Sequence, residues 1–440
     1  MNIMIITPKI PYPLNEGGKI SQFAIIDYLR RIHSVILVLA TYTDEDEKNV
    51  DILKQLWPEV IVEKIQMWNS LPQIPEKFLN KTGLLPLARL KRFSRGVKKL
   101  VKTHFHNDKY ELSTIPEIES PWIVHIAAVK NRRFIDSLLK IVNNYKIDLI
   151  QIDMLDYIDL ALVLPKEIKK VFVHHEIRFA RLATTLKTLP TIPTAYEKYV
   201  FDFVKNQEIN FLRLYDEVFV FSEEDRKILV NLIPEKKIVV APFPVLDSYF
   251  RTISPDLFQI KKLVFVGGED HMPNKDAMEW YIKEIGIEVR KKLDLTLHII
   301  GNWSKETIEK YKDNDLVCFA GFIEDLISYC ENSIMVVPIR IGSGIRAKIM
   351  YAMAQGIPVV SAPIGCEGIQ VTDKVDLLIA NTPNEFAEAI NTIAKNPELA
   401  FTLVSNAQRV VMEKYSQKNA VELRQKYFIQ LTNNNKYNVQ

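Results

Sequence analysis

Three short stretches carry residue types whose spacing suits the capture of a ligand, an anion in the first two and hydroxyl groups in the third. In the first, Asn15-Glu16-Gly17-Gly18-Lys19, paired glycines stand between an apolar run and an amphipathic one. Gly17 and Gly18 let the backbone turn tightly with its N–H groups outward, and a helix starting there adds a positive dipole end suited to a phosphate or a polarised sugar oxygen. A tight βα turn explains the same glycines without a ligand. The spacing is not GxGxxG, and no acidic residue follows in the dinucleotide-binding arrangement, which argues against a nicotinamide enzyme. The second stretch, Pro338-Ile339-Arg340-Ile341-Gly342-Ser343-Gly344-Ile345-Arg346-Ala347-Lys348, is again a strand end, a glycine loop and a helix start. Gly342 and Gly344 permit close backbone approach and Ser343 supplies a hydroxyl. Arg346 and Lys348 put two cations in a first helical turn, where they oppose the macrodipole; a diphosphate removes that conflict and takes charge-assisted hydrogen bonds from both. Solvated basic residues are the plain alternative, and Lys348 can point either way round the turn. In the third stretch, Ala362-Pro363-Ile364-Gly365-Cys366-Glu367-Gly368-Ile369, Glu367 can accept hydrogen bonds from sugar or ribose hydroxyls, or simply close a turn.

These stretches need strands that end at one crevice, and the chain has two such series. Short β-branched runs alternate with amphipathic segments, as in parallel sheets covered by helices. The first series reads as strands at 3–7, 34–40, 59–65, 147–151, 170–174 and 217–221, with a helix at 19–31. Pro242 and Pro244 end it. The second reads as strands at 262–267, 295–300, 316–319, 333–338 and 358–362, with helices at 274–289 and 346–355. The expected organisation is a Rossmann-like domain over 1–245, a second over 246–405, helices crossing back over 406–432 with a kink at Tyr415 and Ser416, and a loose tail over 433–440. Ligands of such sheets bind beyond the carboxyl ends of the strands, so the cleft between the domains is the expected site.

Composition bounds the alternatives. The chain has 440 residues, 48% hydrophobic and 25% charged, which describes a globular protein with a sizeable core. With 57 basic and 54 acidic residues the net charge is +3, which offers no whole-protein footprint for nucleic acid. Cys318, Cys330 and Cys366 form neither a disulfide framework nor a zinc spacing, and a reducing, cytoplasmic setting is expected. The N-terminus lacks a basic n-region and meets Pro8, Pro11 and Pro13, so it reads as a first strand rather than a signal peptide. No apolar run approaches the ~20 residues of a membrane span. Residues 77–107 hold Arg89, Lys91, Arg92, Arg95, Lys98, Lys99 and Lys102 among leucines and no acid, which fits either peripheral contact with a membrane surface or a solvated helix. Asp153 and Asp156 read as loop or helix-start residues, and no metal site is expected.

With PYPLNEGGKISQFAIIDYL, FVHHEIRFARL, VFVGGEDHMPNKDAMEWY and PIRIGSGIRAKIMYAMAQGIPVVSAPIGCEGI in place, the chain resembles the retaining glycosyltransferases of family 4, the group 1 type that includes sucrose-phosphate synthases and many bacterial cell-surface sugar transferases. The resemblance extends over nearly the whole chain and implies the GT-B fold, an α/β architecture of two facing Rossmann-like domains with C-terminal crossover helices. It places Gly17 and Gly18 near the donor phosphate, counts Gly267, Ser343 and Gly344 among the donor-binding positions, and puts Arg346 and Lys348 at the diphosphate. It sets His174 near the transferred sugar, with the neighbouring His175 and Glu176 still open for that role. Where the family has a ribose-binding glutamate in KILEAMA this chain has Tyr351 in KIMYAMA, and Ile341 stands where its other glutamate would fall. Glu367 is the candidate to take part of the lost role.

The implied activity is metal-independent transfer of a sugar from a nucleotide-diphosphate sugar to an acceptor hydroxyl with retained anomeric configuration, with no tightly bound cofactor. The implied setting is cell-surface polysaccharide or glycolipid assembly, with a saccharide or lipid-linked acceptor at the inner face of the membrane and no nucleic acid partner. A non-catalytic relative serving as a binding or scaffolding subunit is the alternative, and an epimerase or hydrolase of sugar nucleotides is a third.

Overall fold

Apolar runs of four to eight residues separated by amphipathic segments fold as buried parallel strands between helices, and the chain does this twice. The computed structural model describes residues 1–67, 129–188, 192–254 and 258–433. The basic segment 77–107 lies outside the described residues, within 68–128, and so does the tail from 434. The first series forms β1 (Asn2–Thr7), β2 (Ser34–Thr41), β3 (Ile61–Gln66), β4 (Leu149–Asp153), β5 (Lys169–His174), β6 (Glu217–Val220) and β7 (Lys237–Val240). They lie in the order β3-β2-β1-β4-β5-β6-β7. The second forms β8 (Lys262–Val266), β9 (Leu297–Ile300), β10 (Val317–Gly321), β11 (Ser333–Val337), β12 (Val359–Ser361) and β13 (Leu378–Ile379), in the order β10-β9-β8-β11-β12-β13.

Neighbouring strands run parallel, with Ile3 beside Leu149 and Ile5 beside Gln151 across β1 and β4, and Met335 beside Val264 across β11 and β8. Helices cover both faces, so central strands are apolar throughout: Ile3, Met4, Ile6, Leu149, Ile150 and Ile152 have no exposed surface. The strand order reverses between β1 and β4 and again between β8 and β11, where the connecting loops diverge and leave a crevice. Those two reversals put the Gly17-Gly18 and Gly342-Gly344 loops at carboxyl ends.

Sequence periodicity missed β7, because Lys237–Val240 is four residues long and runs straight into Pro242 and Pro244. The helix expected at 274–289 begins earlier, at Met272 with Pro273 in its first turn, and passes through a π-helical turn at Tyr281–Ile285 into Gly286–Arg290. Elsewhere local capping fixes the ends. Thr43 accepts from Asp46 N–H while the Asp46 side chain accepts from Thr43 N–H, closing a capping box on Asp44–Leu56. Thr43→Ala is expected to lower the unfolding free energy by about 1 kcal/mol, read by urea titration; an unchanged midpoint would mean that the box adds nothing.

The last two helices join the two halves. Pro397–Tyr415 packs on the second sheet's side, where Gln408 Nε2 donates to the carbonyls of Arg251 and Ala354. The chain turns at Ser416, bridged to Val245, and Gln417–Asn433 then lies on the helix Gly17–Leu29. There Gln417 Nε2 donates to Ala24 O, Tyr28 Oη donates to Glu422, and Phe428 stacks on Phe219 of β6 with centroids 5.6 Å apart.

Candidate functional site

The glycine loop after β11 reaches across to the first sheet. Gly342 and Gly344 have φ of +130° and +76°, and a Cβ on Gly344 would lie 2.8 Å from the His175 carbonyl oxygen. That approach is open only to glycine. Gly342 N–H donates to Thr184 Oγ1 at 3.0 Å, and the Ser343 hydroxyl donates to Ile177 O at 2.9 Å. Ser343, expected at the donor, therefore spends its hydroxyl on holding the two halves together. Gly344→Ala is expected to cost about 1–2 kcal/mol from the left-handed backbone alone and to loosen this docking. Urea titration and amide exchange at Gly342 would read both, and unchanged exchange would contradict the account.

Two helix starts meet at this crevice. A Cβ on Gly17, the first residue of Gly17–Leu29, would lie 2.9 Å from the Cβ of Ala347, the first residue of Ala347–Gln355. A Cβ on Gly18 would touch Met154 at 3.0 Å. The residues before these helices, Glu16 and Arg346, make no side-chain cap, so neither set of first-turn N–H groups is satisfied that way. Both positive dipole ends are thus brought together.

Cations from both halves gather there as well. Arg346 is 8% exposed; its Nη1 donates to Gly344 O while its buried Nη2 has no partner. Burial holds its guanidinium below the usual range, against the opposing pull of Glu367, Glu176 and Asp225. Lys348 is half-buried, yet its ammonium is drawn inward, donating to Asn274 Oδ1 at 2.8 Å and lying 4.1 Å from the Phe265 ring centroid. Burial first and Arg346 second pull it down to about 7. His271, just before Met272–Trp280, is pushed down to about 4 by burial and then by Lys348, Arg181 and Arg346. It is therefore neutral at neutral pH and surrounded by positive charge. Arg181 comes from the first half, on Arg178–Thr188, paired with Glu176 at 2.8 Å.

Behind the cations the loop after β8 is rigidly built. Asn274 Nδ2 donates to Gly268 O, and a Cβ on Gly267 would strike the Asn274 side chain at 2.5 Å. Trp303 Nε1 donates to Gly267 O and Ser304 N–H to Glu269, whose carboxyl is held down to about 2, chiefly by the hydrogen bond from Thr307.

The resemblance set His174 near the transferred sugar, with His175 and Glu176 as neighbouring candidates, and the structure separates the three. The His174 side chain has no exposed surface and turns into the first half, with Nε2 2.7 Å from Glu208 Oε1 but off the line of a hydrogen bond. Glu208 in turn accepts the N–H groups of Arg178 and Phe179. His175 is 16% exposed, its Nε2 3.1 Å from Asp153 Oδ1 and its carbonyl against Gly344. Tyr351 stacks on Tyr249 at 4.7 Å and packs beside Ile20, Ala24 and Leu246; its hydroxyl is buried without a partner, and burial raises it well above the usual phenol range. Glu367 is exposed, within electrostatic reach of Arg346.

Arg181, His271 and Asn274 escaped sequence reasoning. Arg181 comes from one βα unit and His271 with Asn274 from another, so no spacing announces their convergence; the local signals were FVHHEIRFARL, which holds Arg181, and VFVGGEDHMPNKDAMEWY, which holds His271 and Asn274. A cavity of about 480 Å³ opens beside the turn that follows Glu367, between Ser222, Gly368, Gln370, Tyr415 and Asn419. Among the described residues no group of three or more His, Cys, Asp or Glu side chains is gathered as metal ligands would be, and no helix is long and apolar enough to cross a membrane.

Residues 260–396 match the family described as Glycosyl transferases group 1. A Klebsiella pneumoniae protein described as an uncharacterized 44.6 kDa protein in the cps region is 23% identical over 429 residues, 94% of this chain and 97% of that one. Among solved structures, S. aureus TarM is similar with a TM-score of 0.64 at 15% identity, covering 97% of this chain and 98% of its own. Sucrose-phosphate synthase of Thermosynechococcus elongatus gives 0.63 at 15%, covering 98% of each chain. Anabaena HepE in complex with UDP gives 0.60 at 14%, covering 98% of this chain and all of its own. Likeness over the full length shows the fold: two parallel-sheet Rossmann-like domains in the GT-B arrangement.

Proposed function

We propose that the chain is a retaining glycosyltransferase that moves a sugar from a nucleotide-diphosphate sugar to an acceptor hydroxyl. The observation that carries this reading is the meeting of two uncapped helix starts with Arg181, Arg346 and Lys348, drawn from both halves of the chain, around a neutral His271. Arg181 is paired with Glu176, but Arg346 Nη2 has no partner and the Lys348 ammonium donates to the Asn274 amide oxygen, so the site can take further negative charge, and a diphosphate supplies it. As the glycosidic bond to the donor breaks, charge grows on the leaving diphosphate, and preoriented cations and N–H dipoles stabilise that charge more than the ground state. Docking of Gly342 and Ser343 onto Thr184 and Ile177 closes the crevice against water, which limits donor hydrolysis.

The half over 1–245 would present the acceptor and the half over 246–405 would hold the donor, with the helices after 406 tying one to the other. Glu367 accepts ribose hydroxyls in this reading, and the unpartnered Tyr351 hydroxyl donates to the same nucleoside. Because Arg181, Arg346 and Lys348 carry the charge of the leaving group, the reaction needs no metal. The family match over 260–396 and the UDP complex of the HepE structure support a nucleotide in the second half. The acceptor is proposed to be a saccharide or lipid-linked saccharide of a cell-surface polymer, met at the cytoplasmic membrane surface; the basic residues of 77–107 support that setting.

A second reading, a binding or scaffolding relative, draws on Tyr351, whose stacking on Tyr249 fills space that a carboxylate would leave polar. Turnover separates the two. The full chain, incubated with a panel of nucleotide sugars and simple alcohol acceptors, is expected to release nucleoside diphosphate and give a product with the donor's anomeric configuration by NMR. Inversion would overturn the retaining mechanism, and absence of turnover with a bound donor would favour the scaffold.

A further inference from the structure

The crossing helix Gln417–Asn433 carries a charge into the first half. Arg424 is 1% exposed, and neither of its terminal nitrogens has a hydrogen-bond partner. Its guanidinium lies 5.4 Å from the Phe219 ring centroid, and burial pulls it down to about 10, with Asp153 the charge that acts in the other direction. An arginine placed this way is costly, because an ionised group in an apolar interior needs a counter-charge. Asp153, whose side chain has no exposed surface either, is the carboxylate whose charge favours the ionised guanidinium, acting without a direct ion pair.

Asp153 ends β4 and is engaged on both oxygens. Gln151 Nε2 donates to Oδ2 at 2.7 Å, and His175 Nε2 lies 3.1 Å from Oδ1. Ile6 lies beside Ile152, one residue before Thr7 and Asp153 at the ends of β1 and β4, and the Thr7 hydroxyl accepts from the buried Gln22 of Gly17–Leu29 at 2.6 Å. The polar cluster therefore runs beneath the glycine-started helix to the histidine whose carbonyl faces Gly344. A carboxylate only accepts, so the His175 proton facing it must sit on Nε2, which leaves Nδ1 as the nitrogen with the lone pair.

We propose that Asp153 and Arg424 are positioning residues for His175: Arg424, delivered by the C-terminal helix, balances Asp153, and Asp153 fixes His175 as its Nε2–H tautomer with Nδ1 free to accept from a donor hydroxyl. The last helix then does more than tie the halves together, since the state of the site depends on a charge it brings. This rests on the sugar-transfer reading for its consequence, though not for its geometry.

The test uses the full-length protein labelled with ¹⁵N in its histidines. Long-range ¹H–¹⁵N correlation on the wild type is expected to show His175 protonated at Nε2 alone at a pH where the ring is neutral. Asp153→Asn should lose that preference, because an amide can donate, and Arg424→Met should weaken it, while Arg424→Lys keeps it. In transfer assays Asp153→Asn should lower kcat on the order of 100-fold with KM for the donor little changed, and nucleoside-diphosphate binding should be retained in all three variants. A wild-type His175 protonated at Nδ1, or a tautomer indifferent to both Asp153→Asn and Arg424→Met, would overturn the proposal. The tautomer reports even if no sugar is transferred, so failure of the proposed activity and failure of this inference are separate results, and the wild-type spectrum decides should a variant not fold.

Discussion

Arg346→Ala is expected to weaken nucleotide-sugar binding by about 10- to 100-fold, the loss that follows from deleting one or two charge-assisted hydrogen bonds to a diphosphate. The side chain is nearly buried with Nη2 unpartnered, so it is held ready for a ligand and satisfies only Gly344 O in the protein itself. Its removal strands one backbone acceptor, Gly344 O, and no charged partner in hydrogen-bond contact, so the fold should tolerate it. Titration calorimetry on both proteins measures the ratio, and a urea titration shows whether the variant is folded. Equal affinities in a folded variant would mean that the anion, if any, binds elsewhere.

Nucleotide-sugar affinity is expected to be flat below about pH 7 and to fall by up to tenfold per pH unit above it, toward about pH 9. The cause is Lys348, whose ammonium burial and Arg346 pull down to about 7. A bound diphosphate favours the charged form and raises that value. Below about 7 the lysine is protonated with or without ligand and binding moves no proton; above it the free protein must take one up, which costs affinity until the bound value is passed. A nucleotide sugar suits the test, because its two phosphodiester charges do not change over this range. Removing Arg346 removes the second cause of the depression, so in Arg346→Ala the fall should begin at higher pH. A pH-independent affinity would place Lys348 away from the ligand.

The strands were legible because a parallel strand buried on both faces needs a short apolar run, and stretches such as Ile3 to Ile6 have no other use. The glycine loops were legible for a related reason: Gly342, Gly344 and Gly368 sit at positive φ, where other residues are strained, and the sequence shows the glycines directly. Which of His174 and His175 faces the crevice was not legible. Successive side chains at a strand end point to opposite faces, and periodicity cannot say which face an approaching loop will cover. Ser343 shows the same limit, since its hydroxyl went to Ile177, a partner in another βα unit. Tyr351 looked like a broken ribose site in the sequence; its stacking on Tyr249 depends on the linker after Pro244, whose path no local pattern encodes. Arg181 and His271 lie far apart in the chain and meet only once both sheets have formed.

The crevice between the sheets is proposed to take a nucleotide-diphosphate sugar. Saturation-transfer NMR of the full chain against UDP-, GDP-, ADP-, CMP- and dTDP-sugars decides it. One donor is expected to receive saturation at both ribose and sugar protons and to be displaced by its own nucleoside diphosphate. No saturation of any donor at millimolar concentration would contradict the account and leave the GT-B frame as a scaffold.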